Sequence, residues 1–161
     1  MSEYHCRYPV SGAQLSVKFV SREFMIKNKI IECVPNFSEG RDARKIAQIV
    51  GEIEKVKGVK LLNVESDADY NRTVVTFAGT PDAVKDAAFY AIDMAAEVID
   101  MSGHKGVHPR IGATDVCPFV PVTNVAMDEC VHIARMLGKE VGDWLGIPVY
   151  LYGEAAIKPE R

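Results

Sequence analysis

The chain has 161 residues, 48% hydrophobic and 25% charged, the balance of a globular protein long enough to bury a core without disulfides or metal. A net charge of −3 argues against a nucleic-acid partner, because neutralising phosphates needs a basic surface. No apolar run approaches the roughly 20 residues that span a bilayer, and no membrane anchor is visible.

Residues 1–24 lack a sustained period, whereas Met25-Ile26-Lys27-Asn28-Lys29 has the character of a natural start. Residues 1–24 are therefore expected to be a non-native or disordered leader, with a regulatory or pairing arm as the alternative, and 25–161 one folded unit. Ile30-Ile31-Glu32-Cys33-Val34-Pro35 reads as a strand stopped by proline. Apolar residues at Ile46, Ile49, Val50, Ile53 and Val56 recur at helical spacing and predict a helix over Ala43–Lys55. Val59 to Val64 is a second strand, Ser66 to Asn71 a polar turn and Thr73 to Phe77 a third strand. Thr80-Pro81-Asp82 carries a capping hydroxyl, an initial proline and an early acid, and opens a helix to about Asp100. Its buried face is Val84, Ala87, Ala88, Ala91, Ile92, Ala95 and Ile99. A glycine-rich loop, Ser102 to Thr114, precedes a strand over Val116–Val122 that two prolines push towards a sheet edge. A helix over Met127–Leu145 and a strand over Val149–Tyr152 close the chain. The order β-α-β-β-α-β with an added α-β unit predicts an α+β, ferredoxin-like split β-α-β sandwich. That fold implies no function by itself.

The four cysteines, Cys6, Cys33, Cys117 and Cys130, form no Cys-x-x-Cys pair, which leaves neither a zinc knuckle nor a thioredoxin-like redox site. With no signal peptide in view, reduced thiols and a cytoplasmic protein are expected. The loop His104-Lys105-Gly106-Val107-His108-Pro109-Arg110 is the most informative stretch. Its histidines are four apart, as in a helical zinc motif. Lys105 occupies the position of that motif's glutamate, Gly106 weakens a helix and Pro109 biases His108 away from helical geometry, so no metal is expected. What remains is a shaped loop with a proton carrier, His108, beside the carboxylate-binding fork of Arg110. On the loop alone, a histidine merely hydrogen-bonded to backbone is the preferred reading. The acidic turn Glu65 to Arg72, three carboxylates with an arginine between two strands, is by preference a solvated turn. Val34 to Arg41 leads into a helix N-terminus, whose amides can bind an anion.

Together these segments resemble one family. Glu32-Cys33-Val34-Pro35-Asn36-Phe37-Ser38-Glu39-Gly40-Arg41 looks like the opening motif of glutamate formiminotransferases. Asn71 to Phe77, His104 to Arg110, Gly112 to Phe119 and Val149 to Ala156 are similar to later blocks in the same order. The resemblance covers about Lys29 to Arg161, the family's N-terminal subdomain. It implies transfer of a formimino group from N-formimino-L-glutamate to tetrahydrofolate, the co-substrate, in histidine breakdown. The family's catalytic histidine corresponds to His108, with His104 in a supporting role at most. A family acid falls on Glu65, where some relatives have aspartate. Arg110 and Arg72 are candidates to hold a substrate carboxylate, Asn71 accompanies them, and Asp115 or Glu65 would orient a polar partner. The family's unit has two similar subdomains with folate between them, which implies as partner a second subdomain or another copy. A stand-alone, non-catalytic folate- or small-molecule-binding or regulatory subdomain is the alternative, and the donor is open between formimino-glutamate and formimino-glycine.

Overall fold

The computed structural model describes residues 29–107 and 109–158. The expectations for residues 1–24, for Cys6 and for the placement of His108 lie outside these described residues.

The first predicted strand is β1 (Ile30–Cys33), which ends before Val34-Pro35, and beyond the proline the chain rejoins the sheet as an unexpected short strand, β2 (Asn36–Phe37). The first helix, α1, covers Ala43–Lys55 as the apolar spacing predicts, buries Ile49 and Ile53, and is capped by the Asp42 carboxylate. β3 (Val59–Asp67) and β4 (Arg72–Gly79) form a longer hairpin than expected, so the polar turn shrinks to the residues between them. α2 (Pro81–Val98) buries the predicted face, and Ile99 beyond it is buried too. Thr80 precedes α2 in extended conformation, but its hydroxyl makes no capping bond, so proline and Asp82 alone mark the start. The proline-interrupted strand is two, β5 (Thr114–Val116) and β6 (Phe119–Thr123).

The two breaks face each other: the Val34 amide donates to the Pro118 carbonyl at 3.2 Å, and Val75 to Pro35 at 3.0 Å. Prolines here cost ladder bonds that neighbouring backbone replaces. All pairings are antiparallel. β4 carries β3 on one edge and β1 and β2 in succession on the other, while β6 pairs β1 and β5 pairs β2. Directly opposed residues share a face, and along β4 burial alternates strictly. Ile31, Cys33, Val75 and Phe77 point to the helix side and are fully buried against α1 and α2 residues. The other face carries Glu32, Asn36, Glu65, Arg72 and Val74 in register.

α3 (Met127–Glu140) is shorter than expected and continues as a π-helical turn, Val141–Leu145. Gly146, with φ 67°, then stops it in the left-handed conformation that glycine tolerates. The closing segment Val149–Tyr152 is not a strand. It runs irregularly against α3, where a Cβ on Gly138 would lie 3.2 Å from Val149 Cγ1 and 3.6 Å from Leu151 Cδ2. Its strand-like composition reflects side-chain packing on a helix and not a sheet ladder.

Candidate functional site

Three segments distant in sequence meet at one end of the sheet: the turn after β2 (Ser38–Arg41), the β3–β4 turn, and the loop from Met101 to Ala113. Asn71 joins them. It adopts a left-handed φ of 47°, a conformation asparagine accepts more readily than most residues. Its Oδ1 accepts from the Gly40 amide at 2.9 Å, and its Nδ2 donates to the Lys105 carbonyl at 3.3 Å. Gly40 is required for this approach, because a Cβ there would lie 2.2 Å from the Asp67 carbonyl oxygen and 2.5 Å from the Arg72 nitrogen. Arg41 Nε donates to the Ala68 carbonyl at 2.8 Å and closes the same contact from outside.

The long loop is fastened on both sides of residue 108. On the near side, His104 Nε2 lies 2.7 Å from the Ser38 carbonyl oxygen. On the far side, Arg110 Nη1 contacts His104 Nδ1, and Nη2 donates to the Tyr70 carbonyl at 2.7 Å. Ser38 reaches the same limb twice, with its Oγ donating to the Gly112 carbonyl at 2.7 Å and its amide to Ala113 at 2.8 Å. Asp115 accepts from the Ile111 amide at 2.8 Å, so its carboxylate shapes the loop's exit. Gly106 allows the loop to fold over Tyr70, whose carbonyl oxygen would be 2.5 Å from an added Cβ. Met101, His104, Lys105, Gly106, Pro109 and Arg110 line an open hollow of about 530 Å³.

Beneath the loop the residues are polar and buried: Asn36, Ser38, Glu39, Asn71 and Thr73 are all at most 8% exposed. Thr73 Oγ1 donates to the Glu39 carbonyl at 2.6 Å and leaves its lone pairs to Ser66 Oγ at 2.9 Å. Partial burial works to raise the Glu39 carboxyl pKa, but the Asp42 and Arg41 amides and Lys45 hold it below its ordinary value. This overturns the expectation of an anion site at the start of α1. Its leading amides, Arg41, Asp42 and Arg44, are already taken by the chain's own Glu39 and Asp42 carboxylates.

Arg72 lies on the sheet face away from the helices. One guanidinium nitrogen bonds Asn36 Oδ1, while its buried Nε has no protein partner among the described residues. Glu65 is exposed on the same face, opposite Val74 in register, and Val74 is opposite Asn36. The candidate residues thus divide. His104, Asn71, Arg110 and Asp115 organise the loop, and Glu65 and Arg72 stand on the sheet. Sequence reasoning did not single out Ser38 or Asn36. The available signal was a polar run directly after a proline-broken strand, where buried backbone needs side-chain partners. Elsewhere, the Cys33 and Cys117 sulfurs are 3.5 Å apart as free thiols. Burial first, then Cys117, pushes the Cys33 thiol well up from its ordinary value, which makes it unreactive. Among the described residues no three His, Cys, Asp or Glu side chains are grouped to hold a metal ion, and no helix is long and apolar enough to cross a membrane.

The family model of the formiminotransferase domain, N-terminal subdomain, matches residues 30–161. A glutamate formimidoyltransferase from Thermoplasma acidophilum is 54% identical over 132 residues, which are 82% of this chain and 44% of that protein. A glutamate formimidoyltransferase from Streptococcus pyogenes is 46% identical over 133 residues, 83% of this chain and 44% of its own length. A formimidoyltransferase-cyclodeaminase from Gallus gallus is 54% identical over 133 residues, 83% of this chain but 25% of the larger protein. The chain spans less than half the length of these relatives.

Proposed function

The chain belongs to the family of formiminotransferase N-terminal subdomains, and from that premise we propose that it is the catalytic half of a glutamate formimidoyltransferase. Its reaction moves a formimino group from N-formimino-L-glutamate to tetrahydrofolate. One observation supports this reading above others. Three of the stretches that resemble the family, around Ser38–Arg41, Asn71-Arg72 and His104–Arg110, are joined by the hydrogen bonds of Ser38, Asn71, His104 and Arg110. Motif blocks that converge in space are what a shared site requires, whereas a fold kept for packing has no need to join them.

In the proposed reaction the folate N5 attacks the formimino carbon. A tetrahedral intermediate forms, and its bond to the glutamate nitrogen then breaks. His108 takes the proton from the attacking nitrogen and returns one to the leaving nitrogen, so the amine departs neutral and the histidine ends as it began. Arg72 is better suited than Arg110 to the substrate carboxylate. Arg110 spends its terminal nitrogens on His104 and on the Tyr70 carbonyl of the β3–β4 turn, while Arg72 stands on the open sheet face with one guanidinium nitrogen on Asn36 and an Nε that has no partner among the described residues, which leaves its fork the freer of the two for a carboxylate. Glu65, on the same face, would orient the amidine. The same reading takes the sheet as ferredoxin-like. Joining β1 with β2 and β5 with β6 across their breaks leaves four antiparallel strands in the order of a split β-α-β sandwich, with α3 as the addition. A cytoplasmic site of action and a second subdomain, separate or in another copy, belong to the proposal.

The test is formimino transfer by this chain alone and mixed with the second half of a relative. Turnover in the mixture, with formimino-glutamate preferred over formimino-glycine, is expected. Folate binding with no turnover in any combination would replace the enzyme with a stand-alone binding subdomain.

A further inference from the structure

Cys33 and Cys117 stand where the two proline breaks of the sheet face each other. Cys33 ends β1 and Cys117 directly follows β5. The Val34 amide beside one bonds the Pro118 carbonyl beside the other at 3.2 Å. The ladder pairs Cys33 with Phe119, two residues past Cys117, and the two sulfurs lie 3.5 Å apart. A disulfide brings sulfurs to about 2.05 Å, so closure asks for an approach of about 1.5 Å, shared between two side chains. Access to the two thiols differs. Cys33 is fully buried, whereas Cys117 is half-buried and borders the apolar cavity of about 830 Å³ between α2, α3 and the closing segment. Buried Cys130 borders the same cavity.

We propose that Cys33 and Cys117 form a redox site: a small hydroperoxide entering the cavity oxidises Cys117, and Cys33 then closes a disulfide that staples the two breaks. In the first step the Cys117 thiolate attacks a peroxide oxygen and the O–O bond breaks. The other oxygen departs as water or an alcohol with the proton the thiol released, and Cys117 is left as a sulfenic acid. The Cys33 sulfur then attacks the Cys117 sulfur, the S–O bond breaks, and the hydroxyl leaves with the Cys33 proton as water. Two thiols are oxidised and one peroxide is reduced, with two electrons passing between them. The order follows from the surroundings. Burial, then Cys117, keeps Cys33 protonated and inert towards reagents in solution. Against a sulfur already at contact distance, proximity replaces a high thiolate fraction. The thiol pair is the resting state under reducing conditions, and the disulfide is the response to oxidation. The bond joins residues 84 apart in sequence and fixes the end of β1 three residues before Asn36, which holds Arg72. This site does not depend on the transferase reading.

The test is a peptide map of the folded 161-residue chain after hydrogen peroxide, at a dose that oxidises free cysteine, with remaining thiols alkylated before digestion. Wild type is expected to yield the Cys33–Cys117 disulfide, reversible by dithiothreitol, at least about tenfold faster than Cys130 is oxidised, the margin expected of a contact pair over a buried single thiol. C33S removes the second sulfur, so Cys117 should accumulate as a sulfenic acid that dimedone traps. In C117S, Cys33 should remain an unmodified thiol at the same dose. Closure should raise the thermal midpoint of wild type by about 5–10 °C, the scale of an unstrained cross-link across a long loop. Four results would overturn the proposal: thiols that all stay reduced, a disulfide through Cys6 or Cys130 in place of this pair, Cys33 oxidised in C117S as fast as in wild type, or a midpoint that does not rise on closure. If either serine variant fails to fold, the wild-type map and midpoint still decide. No arm of the test needs turnover, so a missing transferase activity would refute the function and leave the thiol pair to be judged separately.

Discussion

Asn71 shows how much one residue can carry. Its left-handed backbone turns β3 into β4, and both ends of its amide serve other segments. Asn71→Ala keeps the chain length but strands the Gly40 amide and adds strain at a positive φ. Unfolding by urea should show a loss of about 2 kcal/mol, the sum expected for an unmet buried donor and backbone strain. A loss under about 0.5 kcal/mol would mean the two bonds are not holding the site together. Glu39 gives the pH-dependent counterpart. Because its folded pKa lies below the ordinary value of 4.5, its contribution is complete above pH 4.5 and is lost as pH falls through the folded value. Wild type should therefore lose more stability than E39Q on acidification from about pH 5 to 3, while the two should run parallel above pH 5. Parallel curves throughout would show that Glu39 is not an important carboxylate. The sequence marks Asn71, His104 and Arg110 as polar residues in family-like stretches. It does not reveal that they bond one another, because none of these contacts is local and each depends on how three turns stack.

At the scale of elements, legibility follows periodicity. α1 and the buried face of α2 are readable because 3.6-residue spacing is a property of the chain alone. The breaks that divide β1 from β2 and β5 from β6 are half-readable: prolines mark the places, but only pairing shows that both halves remain in the sheet. Val149–Tyr152 misleads because β-branched and aromatic residues suit any half-buried surface, here the flank of α3. The junction of the Ser38–Arg41 turn with the hairpin depends on a missing side chain. Gly40→Ala would place a Cβ 2.2 Å from the Asp67 carbonyl oxygen, against backbone that cannot swing aside. It should cost about 2–4 kcal/mol by thermal or urea unfolding, in the range of severe overpacking. A neutral effect would show that the turn and hairpin can separate freely.

At the scale of the whole molecule, several large apolar side chains among the described residues are exposed. Trp144 and Ile157 are each more than three-quarters exposed, and Val120 and Val122 stand out along edge strand β6. An apolar cavity of about 830 Å³ opens between α2, α3 and the closing segment, bordered by Ile111, Val149 and Tyr152. Surfaces of this kind usually find a partner. Sedimentation of the 161-residue chain should therefore show self-association that rises with concentration and recedes when the second half of a relative is added. A monodisperse monomer at high concentration would indicate a domain shaped to stand alone. The transferase account itself turns most directly on His108, which the sequence marks by Gly106, Pro109 and Gly112 and by no apolar stripe. In a turnover-competent mixture, His108→Ala is expected to lower kcat by roughly 10²–10⁴-fold, the range for losing a general acid–base group. The chain's stability should change by only about 0.5 kcal/mol, the scale of surface substitutions. Unchanged turnover in H108A, or a larger loss in H104A than in H108A, would contradict the account.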